Sequence, residues 1–119
     1  MKSDPLLQPL KIRHLNLKNR VMLSAHEPSY AEEGLPKDKY RFYHVERAKG
    51  GIALTMTAGS AVVSEDSPPA YNNLHAYKDE IIPWLKKLTD ECHEYDTKVM
   101  IQITHLGRRT NWNHSDWLP

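Results

Sequence analysis

The sequence predicts an α/β fold built on parallel strands, and three observations carry that prediction. Short apolar runs alternate with longer stretches of helical periodicity, each run is bounded by small or turn-forming residues, and there is no internal repeat or low-complexity tract. The order along the chain is a small hairpin, then strand, helix, strand, helix, strand. Strands that are apolar throughout and separated by amphipathic helices imply parallel neighbours joined by right-handed crossovers. A doubly wound sheet and a (β/α)8 barrel both begin this way, and pattern alone does not separate them.

Residues 10–17 alternate apolar and polar on either side of a break at Arg13-His14, the signature of a two-stranded hairpin with one covered face. Residues 21–25 form a short apolar run ending in Ser24 and Ala25, which reads as the first buried parallel strand. The next stretch contains Pro28, Gly34 and Pro36 and is a loop. Pro36 opens a predicted helix to about Lys49, with Tyr40, Tyr43, His44 and Arg47 or Ala48 on one side. Gly50-Gly51 stops it, as glycine commonly does beyond a helix C-terminus. Residues 52–57 read as a second buried strand, followed by the small residues Ala58, Gly59 and Ser60 and a polar loop carrying Pro68-Pro69. The second helix is predicted from about Ile82 to Tyr95, with Pro83 in its first turn, where a missing N–H does least harm. Ile81, Leu85, Leu88, Cys92 and Tyr95 keep a three-and-four spacing, the seam that packs on a sheet. Residues 98–103 are the third strand, and from Thr104 to Pro119 no periodicity remains.

Composition narrows the function classes. A chain of 119 residues is long enough for one core, so one domain is expected over 1–119. The formal net charge is +1, and Lys and Arg are scattered, including the short groups within 11–20 and at Arg108-Arg109; this argues against a nucleic-acid partner. No apolar run approaches the roughly 20 residues needed to span a bilayer, so no membrane partner is expected. Met1 to Pro5 has no apolar core after its charge and does not read as a secretory signal. The single cysteine, Cys92, excludes an internal disulfide, fits a reducing compartment and sits in the helical seam as a packing residue. The expected address is the cytoplasm.

In both parallel architectures, ligands gather at the carboxyl ends of the strands. Three segments leave those ends: Ser24, Ala25, His26 and Glu27; then Ala58, Gly59 and Ser60; then Gln102, Ile103, Thr104 and His105. Small side chains let a flat ring approach the backbone, and the Gln102 amide both donates and accepts. Such a pocket suits a planar heterocycle such as a flavin, although small residues at strand ends also simply make turns. The first strand-to-helix loop lacks G-x-G-x-x-G, and neither a Walker-type G-x-x-x-x-G-K nor a G-x-S-x-G elbow occurs. Seven histidines are spread along the chain, with His44 and His93 on helices as packing or surface residues. A zinc site from His26, Glu27 and His105 is the metal alternative, but none has a partner at the spacing such sites favour, and no metal is expected.

Four blocks of residues then resemble a known family. They are Leu17-Lys18-Asn19-Arg20-Val21-Met22, Arg47-Ala48-Lys49-Gly50-Gly51-Ile52, the run from Ile81-Ile82-Pro83-Trp84 to Cys92-His93, and Ile101-Gln102-Ile103-Thr104-His105-Leu106-Gly107-Arg108. Correctly ordered over nearly the whole chain, they resemble the start of the Old Yellow Enzyme family of NADH:flavin oxidoreductases. The resemblance implies an α/β fold that is the N-terminal part of a (β/α)8 TIM barrel, a hairpin plus about three βα units, with the hairpin capping the bottom. It implies FMN as cofactor, lined by Ser24, Ala25 and His26 after the first strand and by Ala58 and Gly59 after the second. Gln102 would meet the pyrimidine edge of the ring, while His105 and Arg108 would order the loop after the third strand.

Glu27 departs from the family's pattern, in which a flavin-tuning Cys or Thr, or a cysteine bonded to FMN, stands near this position. A glutamate forms no thioether; it can accept a hydrogen bond, face a cationic substrate, or lie as an exposed loop acid. The turn His26-Glu27-Pro28 and the tail from Leu106 to Trp112 look most like the branch with dienoyl-CoA reductases, trimethylamine dehydrogenase and N-methylproline or betaine demethylases. Oxidative N-demethylation of an N-methylated amino acid is therefore the expected activity, with an enoate or 2,4-dienoyl-CoA reductase using NAD(P)H as the alternative. The branch also implies an iron–sulfur cluster and FAD in parts beyond this chain, where the catalytic acid or base would lie too.

Three strands of an eight-stranded barrel leave an open edge that invites pairing. The expectation is an N-terminal portion, inactive alone, that self-associates or needs the remainder of the barrel or a second chain. A non-catalytic assembly module using that edge is the reading from a different class.

Overall fold

The computed structural model describes residues 4–67 and 71–107. A single 3-10 turn, Pro5–Leu7, leads into a hairpin of β1 (Leu10–Ile12) and β2 (Leu15–Leu17), paired antiparallel with Leu10 opposite Leu17. The two-residue turn places Arg13 at φ 52°, which explains the break in alternation there. A parallel sheet follows, in the order β3 (Met22–Leu23), β4 (Leu54–Val62) and β5 (Lys98–Thr104). Helices α1 (Asp38–Lys49) and α2 (Ile81–His93) form the two crossovers. One apolar cluster takes Tyr40, Val45 and Ala48 from α1, Ile81, Leu88 and Cys92 from α2 and Ala61 from β4, so both helices share one side of the sheet. Across this layer the buried guanidinium of Arg41 on α1 bonds Glu91 on α2 and, at 2.8 Å, Asp38 on its own helix. Leu17 of the hairpin packs with Ala53 and Leu54 at the amino end of β4.

The amino ends of the strands are laced together by the residues of the sequence blocks. Asn19 donates from Nδ2 to the Gly51 carbonyl at 2.8 Å, while its Oδ1 accepts from the Val21 N–H at 3.0 Å. The Lys18 ammonium donates to the Tyr95 carbonyl just past α2. Thr97 donates from its hydroxyl to the Ile52 carbonyl at 2.6 Å. Gly51 stands at φ +96°, a conformation that suits glycine, and this is where the chain leaves α1.

Several sequence expectations need correction. The first parallel strand was expected over 21–25 and buried; it covers only two residues, and Met22 is half exposed because β3 lies at the edge, paired on one side with β4. The second strand does not end at Thr57: β4 runs on through residues 58–60. Thr57 pairs with Ile101 and Ala61 with Ile103, so four steps on β4 oppose two on β5. The small residues make a bulge inside the strand rather than a turn after it. The third strand extends to Thr104 and is exposed along residues 100–103, being the other edge. Helix α1 begins two residues after Pro36, and α2 ends at His93, leaving Tyr95 in an exposed turn outside the seam. Pro68-Pro69, Arg108-Arg109 and the tail through Trp112 lie outside the described residues.

Candidate functional site

Because the three strands are parallel and in register, the loops leaving their carboxyl ends meet at one end of the sheet. After β3, Ser24 and His26 are exposed, Ala25 is partly buried and Glu27 is half-buried. The His26 ring stacks on Tyr43 of α1, centroids 6.4 Å apart and planes 23° from parallel. Tyr43 in turn meets Tyr30 edge-on at 5.9 Å and His44 at 5.1 Å, with the Arg47 guanidinium 3.5 Å from its centroid. The aromatic side of α1, predicted from three-and-four spacing, therefore holds down the loop that carries His26.

Glu27 is fixed at both oxygens. Oε1 accepts from the Ser29 N–H at 2.8 Å, with Ser29 at φ 56°, and Oε2 accepts from Asn73 Nδ2 at 3.0 Å. Partial burial raises the Glu27 carboxyl above its ordinary value of 4.5, against the lowering effect of these two hydrogen bonds and of His26. The loop after β3 packs closely on the bulge because Gly59 lacks a side chain: a Cβ there would stand 2.8 Å from the Glu27 Cβ and 3.1 Å from its backbone nitrogen. The bulge and the loop after β3 are thus in direct contact.

Asn73 belongs to a segment that replaces β3 where that strand stops. The Val62 N–H donates to the Leu74 carbonyl at 2.9 Å, and the Ala76 N–H donates to the Val62 carbonyl at 2.8 Å. Its role was not legible in the sequence, since an asparagine in a polar loop carries no spacing signal. Gln102 is exposed on β5, between Ile101 and Ile103, which pair with Thr57 and Ala61; the bulge of residues 58–60 therefore lies alongside it. The predicted positions 24–26, 58–59 and 102 are accordingly at one end of one sheet, with Glu27 between the first two groups.

His105 ties two loops together. Its Nδ1 accepts from the Gly107 N–H at 2.9 Å, which leaves Nε2 to carry the proton toward Asp66 Oδ1, 3.0 Å away. The Leu106 N–H donates to Ser67 Oγ at 2.9 Å. This is the loop-ordering work expected of His105; Asp66, its partner, was not anticipated, and Arg108 lies outside the described residues. Glu27 is engaged with Asn73 and His105 with Asp66, and no group of three or more His, Cys, Asp or Glu able to hold a metal occurs among the described residues. Cys92 is buried in the helix seam, and burial followed by the Glu91 charge pushes its thiol up to about 11, so it packs rather than reacts. No helix among the described residues is long and apolar enough to cross a membrane.

Comparison with known proteins bears on this geometry. The sequence profile of the NADH:flavin oxidoreductase / NADH oxidase family matches residues 5–117. The chain is 61% identical over 119 residues to a "Probable N-methylproline demethylase" of Rhizobium meliloti (strain 1021), covering all of this chain and 18% of that protein. It is 45% identical over 117 residues to a "Multifunctional alkene reductase/demethylase OYE" of Caballeronia cordobensis, covering 98% of this chain and 17% of that one. It is 41% identical to an "N,N-dimethylglycine/sarcosine dehydrogenase" of Chromohalobacter salexigens, again covering 98% and 17%. The chain thus spans less than a fifth of the length of these relatives. Among solved structures, an Old Yellow Enzyme from Pichia sp. AKU4542 superposes with a TM-score of 0.80 at 22% identity, over 98% of this chain and 31% of that one. A 2-naphthoyl-CoA reductase complex gives 0.80 at 27% identity, over 87% and 16%. The likeness decides between the two architectures left open by periodicity: the fold is the N-terminal part of a (β/α)8 barrel.

Proposed function

The chain belongs to the NADH:flavin oxidoreductase / NADH oxidase family, and from that membership we propose that residues 1–119 are the N-terminal portion of an FMN-binding barrel domain. The parent oxidoreductase removes a methyl group oxidatively from an N-methylated amino acid such as N-methylproline. The observation that carries this reading is the 61% identity, along the whole chain, to the protein named as a probable N-methylproline demethylase.

The residues present fit a flavin. A flat heteroaromatic ring needs a floor without bulky side chains and an edge partner that both donates and accepts. The backbone of the bulge would offer the first and the exposed Gln102 amide the second, at the same end of the sheet. Ser24, Ala25, His26, Ala58, Gly59 and Gln102 are the residues that would hold it, with Gln102 meeting its pyrimidine edge and Glu27 on the substrate side. FMN, when bound, would supply acceptance of a hydride from the N-methyl carbon; the resulting iminium ion takes up water and breaks down to formaldehyde, the secondary amine and a proton. The chain's own contribution is orientation: the His26–Tyr43 stack and the Glu27–Asn73 bond fix the loop that would face both cofactor and substrate.

Formaldehyde release from N-methyl-L-proline by the FMN-loaded parent protein tests the reading. Stoichiometric formaldehyde and N-demethylated product are expected; a flavin-replete protein that releases none overturns it. A second reading, reduction of an activated alkene with NAD(P)H, is favoured by the 45% identity to a protein named both reductase and demethylase. It predicts NAD(P)H consumption in the presence of an enone. An iron–sulfur cluster and FAD would belong to parts of the parent outside this chain.

A further inference from the structure

Glu27 presents an electrostatic problem that the described residues leave unsolved. Its carboxylate is half-buried at the carboxyl end of the sheet, held by one backbone N–H and one amide, both neutral donors. The ion pairs of the described residues engage Glu33, Asp38, Glu46, Glu91, Asp90 and Asp96, and none reaches Glu27. The nearest titratable neighbour is the adjacent His26, whose ring is stacked on Tyr43. A partly desolvated carboxylate with hydrogen bonds but no ammonium or guanidinium is a poor solution for a surface loop. Here the structure nonetheless positions it, on a loop packed so closely against Gly59 that a side chain there would meet the Glu27 Cβ and backbone. Each carboxylate oxygen retains acceptor capacity, since two donors occupy a group that can take about four.

We propose that Glu27 is the counter-ion for the cationic nitrogen of the substrate, so that an ammonium centre brought by the ligand completes the site. The proposal rests on the reading of the protein as an N-methyl amino acid demethylase and names the feature of that substrate class which is recognised: a protonated tertiary amine, donating its N–H to the carboxylate, which then takes that proton before the N-methyl carbon gives up a hydride. The same geometry sets the selectivity. A ligand of the same ring size that carries a carboxylate but no nitrogen is repelled by Glu27, whereas the zwitterion gains an ion pair and a charge-assisted hydrogen bond.

Glu27→Gln in the FMN-loaded parent protein is the test: it removes the charge, its amide oxygen keeps an acceptor for Asn73 or Ser29, and its NH2 group replaces the other acceptor. Two constants are read: KM for N-methyl-L-proline, and the competitive inhibition constant of cyclopentanecarboxylate, with bound FMN measured by visible absorption. The expected result is a rise in KM of at least about tenfold, the scale of a charged hydrogen bond, with cyclopentanecarboxylate binding unchanged or tighter. If both constants rise together, or neither moves, Glu27 is not the counter-ion, while turnover by the unaltered protein leaves the demethylase reading standing. If the unaltered protein does not turn over N-methyl-L-proline, that reading falls and this inference with it. Should E27Q fail to load FMN, Glu27→Thr, smaller and also uncharged, is judged by the same criterion.

Discussion

His44 lies between α1 and β4 with Nδ1 2.7 Å from Thr55 Oγ1 and no partner at Nε2 among the described residues, so the site accommodates a neutral ring. Burial, with a smaller contribution from Arg47, lowers its pKa from 6.5 to about 4. A depressed folded-state pKa means that the unfolded chain binds the proton first on acidification. The stabilisation is therefore complete above pH 6.5 and is lost as the pH falls toward 4, amounting to about 3 kcal/mol at full extent. Urea titrations from pH 7 to 4.5 should show this loss, and His44→Gln should flatten it; an unchanged slope in the variant would assign the acid sensitivity elsewhere. Gly34 is a second residue-level constraint, at φ +79° with a Cβ position only 2.2 Å from the His75 ring. Gly34→Ala combines left-handed strain with a clash that the ring must relieve, and a loss of more than about 2 kcal/mol in the same titration is expected. At this scale the sequence discloses identity but not partnership. Glu27 stands out as a departure from the family pattern, yet Asn73, which bonds its carboxylate, and Gly59, on which its backbone packs, are separated from it by more than thirty residues. Only the fold brings them together.

The elements were legible to the degree that their pattern had a period. The α2 seam of Ile81, Leu85, Leu88 and Cys92 appears in the structure as read, because three-and-four spacing defines a face whatever that face meets. Strands carry less information. Residues 58–60 are small and signal a turn as readily as a bulge, and only the pairing of Ala61 with Ile103 shows that β4 continues. Exposure was misjudged on β3 because an apolar run states that a strand is to be covered, not by what. Leu88 offers the direct test of the seam: it is fully buried in the cluster shared by α1, α2 and the sheet. Leu88→Ala should cost about 2–5 kcal/mol by lost transfer energy plus residual cavity, read as a shifted denaturation midpoint. A cost below about 1 kcal/mol would mean that α2 is not docked on the sheet as described.

At the scale of the molecule, the three-stranded sheet is apolar at both edges. Met22 on β3 is 51% exposed, and Met100 and Ile103 on β5 are 45% and 62% exposed. The barrel assignment explains this pattern, since in a closed barrel each of these strands has a neighbour on both sides and a covered interior face. For the 119-residue chain by itself the same surface is a liability. An exposed apolar edge strand templates strand addition, and β5 carries no charge between Lys98 and Thr104 to prevent it. The chain alone is therefore expected to associate in a concentration-dependent way across the micromolar range, as measured by sedimentation velocity. Ile103→Lys places a charge toward the carboxyl end of the exposed edge, where the side chain gives up little burial, and should shift the distribution toward monomer while leaving the α1–α2 core intact. Monodisperse monomer for the unaltered chain at roughly 100 µM, within the range where exposed edges associate, would show that β5 is capped by something other than another strand. Association that survives Ile103→Lys would move the contact to the β3 edge, where Met22→Lys is the matching substitution.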